Sequence, residues 1–231
     1  MNHPQKFSFA YYKHLLSQMK DRGFQVSSFA NYNPLNKKTV IMRHDVDYTL
    51  HGAIDFGRIE AELGVTSTYL FRVHADEYNI FSCTTFRVIS ELKKLGHEIG
   101  LHFESMNIGR ALDLDPMNLL LRAKTIIEAV LEQPVQTCSE HRDFSNIVHE
   151  TPKFESLFDP YSAGFKFFAM DPKYTKDMKY LSESNANWRE GDPLVHLDQH
   201  NRFQILVHPD WWFDSDFLLK GPYVHSRREQ L

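Results

Sequence analysis

Cysteine is almost missing from this sequence: Cys83 and Cys138 are the only two in 231 residues. Without a C-x-x-C pair or a multi-cysteine framework, a disulfide-stapled fold is excluded, and a reducing compartment, the cytoplasm, is expected. Long apolar runs are missing too. No stretch approaches the roughly 20 residues that cross a bilayer, and the opening MNHPQKFSFAYYKHLLSQMKDRGF lacks the continuous apolar core of a signal peptide. No membrane insertion is expected. Nor is there an excess of positive charge, since 26 Lys and Arg against 30 Asp and Glu leave a net charge of -4. That balance supplies no basic field to attract nucleic acid, so a small or neutral partner is expected instead. Histidine, by contrast, is plentiful at 13 residues, and it is both the commonest metal ligand and a neutral-pH acid and base.

With 42% hydrophobic and 24% charged residues, the chain can bury a core as a single domain over 1–231. Phe9, Tyr12, Leu15, Leu16 and Met19 recur at helical spacing between a capping Ser8 and a stop at Gly23. TVIM runs into RHDVD as a strand, and His51–Leu63 reads as a helix that stops at Gly64. Val65–Val73 is β-branched and aromatic, hence a strand. The round repeats with a helix over Thr85–Leu95, a stop at Gly96 and the strand HEIGLH. It repeats again with a helix over Pro116–Glu132 and the strand Val135–Arg142. MKYLSES and FQILVHPDWW are later strands. Strands alternating with helices predict a parallel sheet, and so many successive units favour a barrel over an open sheet.

The polar residues fall where such a barrel gathers them, at the C-terminal ends of its strands. The first strand ends in HDVD, the next such ends are GLHFE and SEHR, and the last is LVHPD. Residues two apart share a strand face, so Asp45 and Asp47 point together. Paired carboxylates repel unless a cation or a shared proton compensates. Carboxylate with imidazole suits zinc better than calcium or magnesium. Of the two histidines on the HEIGLH strand, His102 at its end is the ligand candidate, and His97 is expected to make a structural hydrogen bond. Read without a metal, HDVD is an acidic loop capping the next helix, and HPDWW a rigid turn.

Together HDVD, GHEIGLH and LVH resemble the polysaccharide deacetylase family, metal-dependent carbohydrate esterases that include chitooligosaccharide deacetylases. The likeness spans roughly Val40 to Trp212. It implies a (β/α)7 distorted TIM-like barrel acting as a hydrolase on the amide C–N bond of an N-acetylated sugar or sugar conjugate. It further implies Asp45 as catalytic base, Asp47 and His102 as ligands of a divalent metal, most simply Zn2+, and His208 as the acid that protonates the leaving group. HDVD, GLHFE and NWREGDP resemble a bacterial branch associated with surface-polysaccharide (O-antigen) synthesis.

The sequence departs from that family in two places. The family's second histidine ligand falls on Met106, and a thioether is a poor ligand for a borderline metal. Its arginine-and-proline motif is replaced by Glu140, His141, Arg142, Asp143 and Phe144. His141 is therefore the candidate third ligand, with Glu104 its rival, and Arg142 the candidate for orienting Asp45. Asp210 is the carboxylate expected to keep His208 charged, and Glu98, on the face of His102, is expected to support it. Trp188, Trp211 and Trp212 are candidate sugar platforms, at least one of them committed to the core. Arg189, Glu190 and Asp192 read as a loop ion-pair set, with substrate contact as the alternative. Two other functions fit the residues: a metal-free glycosidase using Asp45, Asp47 and Glu104, and a catalytically altered or inactive sugar-binding protein that kept the barrel.

Overall fold

The computed structural model describes residues 6–141 and 158–212. Helix α1 (Phe9–Asp21) opens on Ser8, whose hydroxyl accepts from the Tyr11 amide at 3.1 Å. A short strand β1 (Gln25–Ser27) precedes β2 (Thr39–Val46), every residue of which is buried. Then come α2 (His51–Glu62), β3 (Thr68–Phe71), α3 (Cys83–Lys94) and β4 (Glu98–Phe103). Both helices stop at glycines in the left-handed region, Gly64 at φ 66° and Gly96 at φ 91°, as their sequences predict. Helices α4 (Ser105–Leu112) and α5 (Pro116–Leu131) lead to β5 (Thr137–Glu140). After the undescribed residues follow β6 (Phe167–Phe168), α6 (Pro172–Thr175), β7 (Lys179–Ser184), β8 (Asn187–Trp188) and β9 (Arg202–Val207). The strands β1, β6 and β8 and the helices α4 and α6 have no counterpart in the sequence-based reading.

The sheet order is β6-β5-β4-β3-β2-β9-β7-β8, with β1 pairing the start of β2, and every pairing is parallel except β7 with β8. The sheet curls into the expected α/β barrel, though among the described residues β6 and β8 remain ends of the path. The curl is visible in one side chain. Strands β2 and β5 are three steps apart, roughly 14 Å across a flat sheet. Yet Arg43 Nη2 of β2 donates to Ser139 Oγ of β5 at 2.5 Å, and Nη1 reaches Met170 Sδ, beyond β6, at 3.5 Å.

Period-two alternation divides β2 between two environments. Val40, Met42 and Val46 join the main core under α1 and α2, while Ile41 packs inside the barrel with Phe29, Ala169, Tyr174 and Met178. Arg43 and Asp45 share the inward parity, and His44 takes the outward one. Gln204 of β9 also fills the interior, donating to the carbonyls of Ala169 at 3.0 Å and Tyr174 at 3.2 Å.

Gly100 in the middle of β4 lets neighbouring strands close on the site. A Cβ there would come 2.6 Å from the Thr137 carbonyl oxygen and also collide with Leu70. Gly100→Ala is expected to destabilise the fold by about 1–3 kcal/mol, read as a lower urea midpoint, because backbone on the β5 side cannot yield.

Candidate metal and acid–base site

The strand ends bring together most of the residues singled out by the sequence. Asp45, Asp47, His102, His141 and His208 all line one cavity of about 450 Å3. Asp47, His102 and His141 each offer one ligand atom, and those atoms lie within 4.8 Å of one another. Glu104 stands outside that triad. Its Oε1 lies 3.0 Å from His141 Nδ1 and accepts from Arg72 Nε at 2.5 Å. Burial raises the Glu104 carboxyl, but the His141 bond and the Arg72 charge outweigh it and bring it down to about 2. Glu104 thus sets its charge against the ring, whose Nδ1 has no hydrogen bond of good geometry among the described residues and whose Nε2 lies 3.7 Å from Asp47 Oδ2. Met106 is buried at 4% exposure in the first turn of α4 and does not line the cavity.

The donor atoms suit a cation. His102 Nδ1 faces the Ser139 carbonyl at 3.2 Å, and because a carbonyl can only accept, Nδ1 carries the proton. Nε2 then presents a lone pair to two carboxylates, 3.2 Å from Asp45 Oδ2 and 3.4 Å from Asp47 Oδ1. Burial depresses His102 to about 4 despite both aspartates, so the ring is neutral near pH 7. Among the described residues, the buried Asp47 Oδ1 has no hydrogen-bond partner. A lone pair and an unsatisfied carboxylate oxygen converging at this distance are mutually repulsive until a cation lies between them.

Asp45 is held differently. Arg43 Nε donates to its Oδ1 at 2.7 Å and Nη2 to its Oδ2 at 2.6 Å, with the guanidinium 1% exposed. Burial pushes the Asp45 carboxyl up, but Arg43, aided by His102 and His208, outweighs burial and holds it below the usual carboxylate range. Arg142, the candidate for orienting Asp45, lies outside the described residues; among the described residues Arg43 orients Asp45. Its signal was present in the sequence, since Arg43, Asp45 and Asp47 alternate on one strand face.

His208 faces the cluster with Nε2 3.7 Å from Asp47 Oδ2. Its Nδ1 donates to the Glu183 carbonyl at 2.5 Å, its amide donates to Glu183 Oε2 at 3.0 Å, and that same oxygen takes Trp212 Nε1 at 3.2 Å. Burial lowers His208, but the Glu183 bond and the charges of Asp45 and Asp47 prevail and raise it to about 9. Glu183, not Asp210, is therefore its structural partner. Asp210 Oδ1 instead accepts from the Thr49 amide at 2.6 Å, and burial followed by Asp47 pushes its carboxyl up to about 7. Glu183 carries no sequence signal, because it sits on the outward parity of β7, where an acid ordinarily meets water.

Other expectations are corrected here. Glu98 lies at the start of β4, where it accepts from Thr68 Oγ1 at 2.7 Å and from the Ala30 amide at 2.9 Å, far from the strand ends. Glu190 and Asp192 do not pair with Arg189, because Glu190 Oε2 accepts from the Ser182 amide at 3.0 Å and Asp192 from Tyr11 Oη at 2.5 Å. Trp188 and Trp212 belong to the core, and Trp211 alone of the three lines the cavity. His97 bonds the Gly57 carbonyl at 2.9 Å, as expected.

A scan against protein-family models returns no match, and a search of curated proteins returns none. Among solved structures the chain is similar to the Streptococcus pyogenes deacetylase PplD in complex with acetate, at 14% identity, 91% of this chain, 85% of that chain and a TM-score of 0.49. It is also similar to a family 4 carbohydrate esterase from Bacillus anthracis, at 16% identity, 90% of this chain, 83% of that chain and a TM-score of 0.43. A third is BA3943, a CE4 family pseudoenzyme from Bacillus anthracis, at 15% identity, 78% coverage of this chain and a TM-score of 0.45. The chain spans 57% of the length of BA3943. Among the described residues, no helix is long and apolar enough to cross a membrane.

Proposed function

We propose that this chain is a metal-dependent hydrolase that removes the N-acetyl group from a sugar, and that the sugar belongs to surface-polysaccharide synthesis. The observation that carries the chemistry is the convergence of Asp47, His102 and His141, with Asp47 Oδ1 unpartnered and the His102 lone pair turned toward it. Two imidazoles and a carboxylate are a donor set suited to zinc. A bound zinc ion supplies a Lewis acid and acidifies a water ligand. Asp45 is the proton acceptor from the attacking water, kept ionised and aimed by Arg43. His208 is the proton donor to the departing amine, kept protonated by Glu183 and the neighbouring aspartates. The surface-polysaccharide context follows the resemblance of HDVD, GLHFE and NWREGDP.

A metal-free glycosidase is a weaker fit. It needs one carboxyl held protonated near neutral pH, whereas Asp45 is clamped by Arg43 and Glu104 by Arg72 and His141. The test is to measure metal content and then acetate release from N-acetylated sugars. Zinc with acetate release supports the proposal, whereas a protein that takes up no divalent metal refutes it. Glu104→Gln is expected to weaken zinc binding by about 10–100-fold, because an amide cannot replace the charge set 3.0 Å from His141 Nδ1. Competition with a chromogenic chelator reads that loss.

A further inference from the structure

On one side of the same cavity, β7 turns a run of hydroxyls inward. Tyr180, Ser182 and Ser184 alternate along the strand, and all three line the cavity. Arg189, also lining the cavity, is joined to this wall where its amide donates to the Ser182 carbonyl at 3.2 Å. Burial raises the Tyr180 phenol; Arg43 and, more weakly, Arg189 oppose that, while Asp45 and Glu190 add to it. Arg189 is exposed at the cavity and open to solvent, Tyr180 is half-buried, and among the described residues neither the guanidinium nor the phenol hydroxyl has a protein hydrogen-bond or ion-pair partner. The acids adjacent in sequence are committed elsewhere, Glu190 to the Ser182 amide and Asp192 to Tyr11 and the Leu194 amide.

The platform is rigid. Strands β7 and β8 form a hairpin in which Ser184 faces Asn187. Asn185 and Ala186 between them take φ 54° and 53°, the two-residue turn whose twist matches the strands. Alanine is strained there, and the turn is held because the Ala186 amide donates to Glu183 Oε1 at 3.0 Å. The same carboxylate carries His208, so Arg189 is presented at a fixed offset from the candidate acid.

We propose that this wall is an anion subsite, with Arg189 as its charged anchor and Tyr180 as a neutral donor, so that the sugar acted on carries a phosphate or carboxylate group. The inference rests on the deacetylase reading for the word sugar. The recognition itself rests on unmatched donors beside a hydroxyl-lined wall. A guanidinium pairs both oxygens of a carboxylate or phosphate, which lysine cannot do in the same geometry.

Equilibrium binding to the zinc-loaded Asp45→Asn protein, the parent for this test because it keeps the metal and loses turnover, is read by titration calorimetry. The ligands are neutral N-acetylglucosamine, its 1-phosphate, its nucleoside-diphosphate conjugate and an N-acetylated hexosaminuronic acid. At least one anionic ligand is expected to bind about tenfold tighter than the neutral sugar. The identity of that ligand tells phosphate from carboxylate. The preference should vanish in Arg189→Ala, shrink in Tyr180→Phe and survive in part in Arg189→Lys. Equal affinities in the parent, a preference that persists in Arg189→Ala, or no measurable binding of any anionic ligand would each overturn the proposal. Because acetate release is not the readout, a chain that shows the preference in this form but never deacetylates with Asp45 in place would count against the hydrolase reading alone.

Discussion

Asp47→Ala is expected to bind zinc at least about 100-fold more weakly than the parent, since even losing a residue that merely supports a ligand costs 10–100-fold. Asp47 is the one carboxylate in the triad, and its Oδ1 has no other partner. The companion variant Asp45→Asn separates the two aspartates. It should keep the metal and lose about 100- to 10,000-fold in turnover, the usual contribution of a positioned base. Parent-like zinc retention in Asp47→Ala would remove the basis of the proposed function.

Glu60→Gln should give the largest loss of stability, about 3–5 kcal/mol by the usual cost of breaking a buried charged network. Glu60 on α2 is fully buried on the helix side of the sheet. Its carboxylate accepts from Tyr12 at 2.5 Å, Ser67 at 2.6 Å and Tyr69 at 2.6 Å, with His44 Nε2 at 2.7 Å. An amide of the same shape turns its NH2 toward groups that are themselves donors. Burial raises the Glu60 carboxyl, but His44, His97 and Ser67 more than offset it and bring it from 4.5 down to about 2. A depressed folded value means the contribution is fully present above the ordinary value and lost as pH falls toward 2. The gap between parent and Glu60→Gln in urea unfolding should therefore be widest near pH 7 and narrow steadily below about 4.5. A gap that stays constant from pH 7 to 3 would show that Glu60 is not ionised in the fold.

Much of this arrangement is legible from residue order, and the limits have physical causes. The rim cluster could be read because parallel strands deliver their ends to one face, so HDVD, GLHFE, SEHR and LVH must meet whatever the loops do. His141 emerges as the partner of Asp47 and His102 for the same reason, being the first residue past β5. Arg43 was legible and overlooked, since parity that aligns Asp45 with Asp47 aligns it too. Glu183 and Glu60 were not legible. Each is a lone acid on a face that local pattern assigns to solvent or to apolar packing. The partners that make burial tolerable are scattered: Ala186, His208 and Trp212 for one, Tyr12, His44, Ser67 and Tyr69 for the other. Helix α4 is short and has no side-chain cap, which left nothing in its sequence to mark it.

Arg43 and Gln204 cross the interior just beneath the cluster, with Phe29, Ile41 and Tyr174 packed below them. Among the described residues the cavity is consequently closed at its base. On the proposed function, a sugar that enters over Trp211 and the hairpin leaves by the same side, so the spent sugar and its replacement contend for one doorway. Inhibition by the deacetylated sugar should then be competitive.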